Sequence, residues 1–338
     1  MSRRPTAFCS TVEPGSGDPV IERRTFLRFA AAALSPAALP VAAQQQTSLP
    51  RIGIVARTNT NVEALVAALR ERGYVDGSTV VIERRRGSDD FFSPSELTRF
   101  AVVVVGGPYS ISLALKAART ISIVAVDLES DPVASGFAKS LARPGGRITG
   151  VFLDLPELGG KQIQLLREIV PSARRVGIVW DEGVGRPQYD ATAQAALMAR
   201  LTPVSLPITN SGGSATVSAA FDRARAERVD VLVILTAPST SQHFSQIAEM
   251  ALQNRLPTIS PFNQFPDAGG AVAYGPNLPD LFRQLADYVD RILKGASPGD
   301  LPIQRPTRFF LIVNLKTTKA LGLTVPQSML VRADEVIR

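Results

Sequence analysis

Side chains able to make or break covalent bonds are scarce in this chain. Among 338 residues there is one histidine, His243, and one cysteine, Cys9. Cys9 falls in a stretch that reads as a removable leader, so the remaining chain offers no disulfide, thiolate nucleophile or Cys-ligated zinc. Any site needing two histidines is excluded as well. A Ser-His-Asp relay would have to use His243, which lies in a polar, helical-looking stretch, Ser239–Gln253, and reads as an exposed helix position. No Gly-x-x-x-x-Gly-Lys-Ser/Thr loop is present. The expectation is a chain with no catalytic residue, no metal and no cofactor.

What the sequence does offer is hydrogen-bonding and aromatic groups just beyond apolar runs. In open α/β sheets, ligands sit beyond the carboxyl ends of the strands. After the first such run come Thr58, Asn59 and Thr60, which either contact a ligand or cap the following helix. Gly107, Pro108, Tyr109 and Ser110 follow another run. Glycine permits close backbone approach there and free N–H groups at a helix start attract anions, although steric need explains the glycines equally. Asp127 and Asp131 follow a third run, as partners for an ammonium group or as turn caps. Trp180 and Asp181 end a fourth run. Trp180, the single tryptophan, is either an aromatic wall or a packing residue. Thr236, Ser239, Phe262 and Tyr274 complete the candidate ligand-binding set.

The elements that must position these groups alternate between apolar runs and helical periodicity. Arg51–Ala56, Val80–Ile82, Ala101–Val105, Ile121–Val126, Val176–Trp180, Val229–Leu235 and Phe309–Val313 read as strands buried on both faces. Helices fit between them at Ile111–Ala118, Lys161–Val170, Ala191–Arg200, Val217–Glu227 and His243–Gln253. Ser93-Pro94-Ser95-Glu96 is a capping box with proline at the first helical position. The alternation predicts an α/β protein with parallel, doubly wound sheets. About ten strands exceed what one open sheet usually holds, so two Rossmann-like lobes joined by a three-strand hinge are expected. Crossings are placed at Arg143–Gly150, at Tyr274–Pro279 leading into a helix over Asp280–Lys294, and at Gly295–Pro306. The expected division is residues 1–43 as leader, 48–148 plus 275–303 as the N-terminal lobe, and 149–274 plus 304–338 as the C-terminal lobe.

The leader reading rests on Glu22-Arg23-Arg24-Thr25-Phe26-Leu27-Arg28, followed by an apolar small-residue run from Phe29 to Ala43. Val41-Ala42-Ala43 offers small residues for cleavage before Gln44. Paired arginines followed by Phe-Leu resemble the twin-arginine export signal; an ordinary secretory signal is the alternative. Either predicts a periplasmic protein. The first 43 residues carry five arginines against three acids, +2 of the net +7, leaving +5 for the rest. Those charges are scattered apart from Arg84-Arg85-Arg86 and lack aromatic interleaving, so nucleic-acid binding is not expected. Beyond the leader no apolar stretch approaches the roughly 18 residues of a membrane helix, so no direct membrane insertion is expected.

Five separated motifs add a family likeness. They are Arg70-Glu71-Arg72-Gly73-Tyr74-Val75-Asp76-Gly77, Ser130-Asp131-Pro132-Val133, Ser140–Gly146, Tyr274-Gly275-Pro276-Asn277-Leu278 and Asn314–Leu323. Together they closely resemble the ABC transporter substrate-binding family that includes tryptophan- and tyrosine-type binding proteins. The likeness runs from about Arg51 to the C-terminus. It implies a type I periplasmic binding fold, a small organic solute (an amino acid or aromatic compound among the candidates) held between the lobes, ABC importer permease subunits as partners, and a monomer that is not an enzyme. Two departures from the family pattern stand out. The helix before Ala101–Val105 is about ten residues shorter, and Ala237-Pro238 stands where Asp-Pro is common, which would alter ligand preference. A sensor subunit reporting to a membrane partner, and an α/β hydrolase or transferase using Asp and Ser in the same cleft, remain as alternatives.

Overall fold

The computed structural model describes residues 49–56, 59–87, 90–117, 119–127, 131–153, 155–209 and 211–338. The expected export leader and Thr58 lie outside them. For Asn59, Thr60, Pro108 and Asp127 only the backbone is described.

Five strands form the first sheet: β1 (Arg51–Val55), β2 (Val81–Arg85), β3 (Val102–Gly106), β4 (Ser122–Asp127) and β5 (Ile148–Phe152). They lie in the order β2-β1-β3-β4-β5, all parallel. The four valines of β3 are fully buried, as a strand covered on both faces requires. Helices α1 (Asn59–Glu71), α2 (Pro94–Leu97) and α3 (Pro108–Ala117) follow β1, β2 and β3 respectively. The segment expected to cross between lobes at Arg143–Gly150 instead leads into β5, a strand of this sheet. Gly150 explains why it pairs there: its φ is +139°, and a Cβ would stand 2.0 Å from the Ala125 carbonyl oxygen. Only glycine lets β5 approach β4 this closely.

The second sheet holds seven strands: β6 (Arg175–Asp181), β7 (Thr202–Ile208), β8 (Val231–Ile234), β9 (Thr258–Ser260), β10 (Val272–Gly275), β11 (Phe310–Asn314) and β12 (Glu335–Ile337). Their order is β12-β11-β10-β9-β8-β6-β7, parallel except at the β10–β11 pair. Edge strand β7 carries Pro203 and Pro207, which cannot donate to a further strand. Helix α4 (Leu155–Ile169) packs on this sheet beside α5 (Arg186–Met198). Helices α6 (Gly213–Ala226), α7 (Pro238–Gln242), α8 (Phe244–Gln253) and α9 (Gln264–Asp267) connect the later strands. His243 joins α7 to α8 and is half-buried rather than exposed, its Nδ1 lying 2.7 Å from the Ser239 carbonyl.

The chain changes sheets three times: after Leu153, over Pro276–Asn277, and between Gln304 and β11. After the second change, α10 (Leu278–Leu293) returns to the first sheet and packs against α1. A 3₁₀ turn, Pro298–Asp300, follows it. Gln304 then runs beside β5, donating to Gly150 O (3.0 Å) and accepting from Phe152 N (2.9 Å). Helices α11 (Leu315–Ala320) and α12 (Gln327–Arg332) close the chain around β12.

The shortened region before β3 is a single-turn helix, with the predicted capping box at Ser93 and Glu96. Aromatic rings cover the sheet face that α2 is too short to cover. Phe92 (2% exposed) packs 4.6 Å from Phe100, and its ring would touch a Cβ on Gly53 at 2.9 Å. Arg85 lies over the Phe92 ring at 4.9 Å. The first sheet therefore keeps a closed core on both faces.

Two carboxylates couple this scaffold to pH. A hydrogen bond from Arg51 holds Glu83 below the usual carboxylate range, with Arg99 adding to it at 2.8 Å. Burial works against ionisation of Asp290, but hydrogen bonds from Lys294 and Tyr74 outweigh it and hold this group low too. Groups with lowered folded-state pKa stabilise fully above their unfolded values, about 4, and lose that contribution as pH falls through the lower folded values. The melting temperature should thus be level above about pH 5 and decline below pH 4. A melting series from pH 3 to pH 8 that stayed flat at the acid end would refute this.

Candidate functional site

Because β1–β5 and β6–β10 are each parallel, their carboxyl ends gather along one edge of each sheet. In the first sheet the chain reverses its direction of progress between β1 and β3; in the second, between β6 and β8. Crevices beyond such points are where open sheets hold ligands. Most of the expected site residues stand at or just beyond these strand ends, though not all of them face outward.

In the first sheet, α1 begins at Asn59 and Thr60, directly beyond β1. Gly107 takes φ +77° and donates to the Val126 carbonyl at 2.7 Å, turning the chain into α3, which starts at Pro108. Tyr109 is 63% exposed and free to cover a neighbouring group, whereas Ser110 is buried. Asp127 ends β4 on the strand beside Gly107. Asp131 lies farther out. Its Oδ1 accepts from Val133 N (2.7 Å) and Ala134 N (3.2 Å), so it caps an exposed turn.

In the second sheet, Trp180 and Asp181 close β6, but neither presents itself to a crevice. Trp180 is 5% exposed, donates from Nε1 to Ser205 Oγ at 2.9 Å, and stacks on Tyr189 with centroids 4.7 Å apart. The pleat turns the indole into the core under α5, which corrects the aromatic-wall expectation. Asp181 Oδ1 accepts from Gly183 N at 2.8 Å and fixes the turn after β6. Phe262 is likewise core: although it follows β9, it is buried in the hydrophobic cluster built by the first sheet, α1 and α10. Tyr274 packs against the main clusters of both sheets and stacks on Phe309, with burial raising its phenol above the ordinary value.

Thr236 and Ser239 behave otherwise. Both are buried, and neither hydroxyl has a hydrogen-bond partner. Two residues that the strand-end reading missed share this property: Ser260, the last residue of β9, and Asn61, in the first turn of α1, through its Oδ1. Among the described residues two other buried side-chain atoms lack partners, Gln188 Oε1 in the first turn of α5 and Arg175 Nε at the far end of β6. Burying an unmet polar group costs about 1–3 kcal/mol. Five of these six groups, all but Arg175 Nε, lie at the carboxyl edges of the two sheets, which makes sense where something else completes their hydrogen bonds. The Thr258–Ser260 strand is only three residues long, which is why its carboxyl end gave no signal. Asn61 stands one residue beyond the polar trio that did.

A separate cavity of about 250 Å³ opens beside the crossing segments, lined by Gly275, Pro276, Asn277, Arg308 and Phe310 among others; none of the expected site residues lines it. Gly295-Ala296-Ser297-Pro298-Gly299 matches the spelling of a nucleophile elbow. It follows α10 and enters a 3₁₀ turn, however, whereas an elbow needs a strand-to-helix turn that lifts serine above a sheet. Among the described residues no cluster of three or more His, Cys, Asp or Glu side chains could hold a metal ion, and no helix is long and apolar enough to cross a membrane.

Two parallel α/β halves linked by three chain crossings, with unmet polar groups at their strand ends, define a ligand-binding architecture. Comparison with known proteins identifies the kind. The model of the family described as ABC transporter substrate binding protein matches residues 58–337, and the chain belongs to that family. A tyrosine-binding protein of Clostridioides difficile (strain R20291) is 23% identical over 273 residues, covering 77% of this chain and 76% of the relative. Two solved structures superpose on most of it. The ABC domain in complex with L-Trp from Streptococcus pneumonia has a TM-score of 0.75 at 20% identity, covering 86% of this chain and all of the other. A conserved domain protein from Vibrio cholerae has a TM-score of 0.74 at 22% identity, covering 85% and 99%. The shared fold is that of type I periplasmic binding proteins, as the motifs implied.

Proposed function

We propose that this chain is the receptor that captures one small organic solute outside the cytoplasm and delivers it to the permease of an ABC importer. Residues 49–152 with 278–304 form one lobe; residues 155–275 with 310–338 form the other. The three crossings act as a hinge, and closure brings the strand ends together around the solute. The unmet hydrogen-bonding groups Asn61, Thr236, Ser239 and Ser260 carry this reading. Asn59, Thr60, Gly107, Pro108, Tyr109, Ser110 and Asp127 would supply the rest of the first lobe's wall. No bond need be broken, so the protein acts as a monomeric carrier and not an enzyme. The leader, of twin-arginine or ordinary secretory type, directs it to the periplasm.

A solute that binds the folded chain stabilises it by mass action. At ~100-fold over its dissociation constant it should add about 2.7 kcal/mol and raise the melting temperature by roughly 5–10 °C. L-tryptophan and tyrosine, named for two relatives, are natural first probes in a thermal-shift panel of several hundred solutes. A panel without any stabilising solute, or turnover of one that binds, would sink the reading.

A further inference from the structure

Arginines far apart in the sequence meet at the amino edge of the second sheet, opposite the strand ends described above. Strands β9, β8, β6 and β7 lie side by side and parallel, so the segments entering them form a row, about 5 Å from one to the next. Each segment brings arginine: Arg255 before β9, Arg228 before β8, Arg174 and Arg175 at β6, and Arg200 before β7. Hydrogen bonds join the row. Thr202 N donates to Arg174 O (2.8 Å), Asp230 N to Arg175 O (2.9 Å) and Leu232 N to Pro257 O (2.8 Å).

Counting the helix ends that lead into these strands, residues 167–175, 197–202, 222–230 and 249–257 hold eight arginines and five acids, a surplus of +3. All five acids are engaged: Glu168 by Arg332, Asp222 by Arg225, Glu227 by Arg175, Glu249 by Gln253, and Asp230 by the Arg174 and Arg175 amides. Arg174, Arg200, Arg223, Arg228 and Arg255 are exposed and have no carboxylate partner among the described residues. Arg200, Arg228 and Arg255 each follow a helix cap, at φ +60°, +51° and +56°, where glycine is the usual occupant. A cation beside a helix C-terminus is favourable, which accounts for each charge singly. It does not account for the apolar side chains left exposed in the same helix turns: Leu197 (61%) and Met198 (74%) on α5, and Leu252 (39%) on α8.

We propose that this edge docks the protein on a membrane surface of anionic phospholipid. The arginines meet the lipid phosphates, and Leu197, Met198 and Leu252 rest at the headgroup boundary. A nucleic acid would engage the cations alone and leave the apolar groups unused. No helix enters the bilayer. The strand ends at the opposite edge stay free, so docking does not depend on the solute reading.

Co-sedimentation with vesicles tests it, comparing phosphatidylcholine alone with phosphatidylcholine containing one part in three of phosphatidylglycerol. All described elements lie within the compact unit 48–338, so the protein freed of its leader is used. The expected result is binding to the anionic vesicles only, weakening as salt rises. The triple variant Arg200→Gln, Arg228→Gln, Arg255→Gln should bind at least tenfold more weakly. Glycine at the same three sites, at home in that backbone conformation, repeats the charge loss should the glutamines loosen the helix ends. A control with the same net charge, Arg70→Gln, Arg119→Gln, Arg143→Gln, alters exposed arginines of the first lobe and should stay within threefold of the parent. Leu197→Gln with Met198→Gln, which changes no charge, should weaken binding at least threefold. No binding to anionic vesicles, or equal losses in the two arginine triples, overturns the inference. Unchanged vesicle affinity in the Leu197→Gln, Met198→Gln pair also overturns it, since the edge would then serve any polyanion.

Discussion

Phe92→Ala should lower the stability of the first lobe by about 3–5 kcal/mol, the range for emptying a buried phenylalanine site, and the melting temperature by on the order of 10 °C. The size of the effect follows from the missing cover. Where a full helix would shield β1 and β3, the single turn α2 leaves the task to Phe92 and Phe100, and the Phe92 ring lies against Gly53 with no side chain beneath it. Truncation opens a cavity that α2 is too short to fill, and it also removes the face on which Arg85 rests. Phe92→Leu should recover part of the loss. Equal stability of Phe92→Ala and the parent in urea titrations would show that the aromatic cover is dispensable.

Phe262→Ala should cost a similar amount, about 3–5 kcal/mol, with a different functional consequence. Phe262 is attached to the second sheet through β9, yet it is buried with Leu278, Leu281 and Phe282 of α10 in the core of the first. It ties the two halves beside the crossing that Tyr274 and Phe309 stack upon. Loss of the ring should loosen the relation between lobes as well as the core. Small-angle scattering should therefore record a larger radius of gyration for the solute-free variant, and any solute affinity should fall. A variant less stable but equal to the parent in scattering and affinity would assign Phe262 to packing alone.

How far the sequence could be read depends on whether the deciding signal was local. Strands β1, β3, β4, β6 and β8 are buried on both faces and announce themselves as unbroken apolar runs, which made the α/β class and the two-sheet count legible. The prolines of β7 and the glycine inside β5 disguise those strands, because an edge position and a close backbone approach are properties of the neighbours. The first crossing was accordingly expected a few residues early.

Site residues divide the same way. That Trp180 ends a strand is written in its sequence neighbours. Which face the indole takes is set by the pleat and by Tyr189, which lies close in sequence but reaches the ring only once α5 folds back over β6. Phe262 could not be assigned to the first core without knowing that α10 returns there. Conversely, Ser260 and Asn61 are ordinary polar residues until burial strips away their water.

The sequence by itself determined the class of fold, the family, and the poverty of groups able to do covalent chemistry, since each depends on residue types and spacings along one chain. The tertiary structure alone decided which strand-end groups are left unmet, because an unsatisfied hydrogen bond is a relation between a buried atom and everything packed around it.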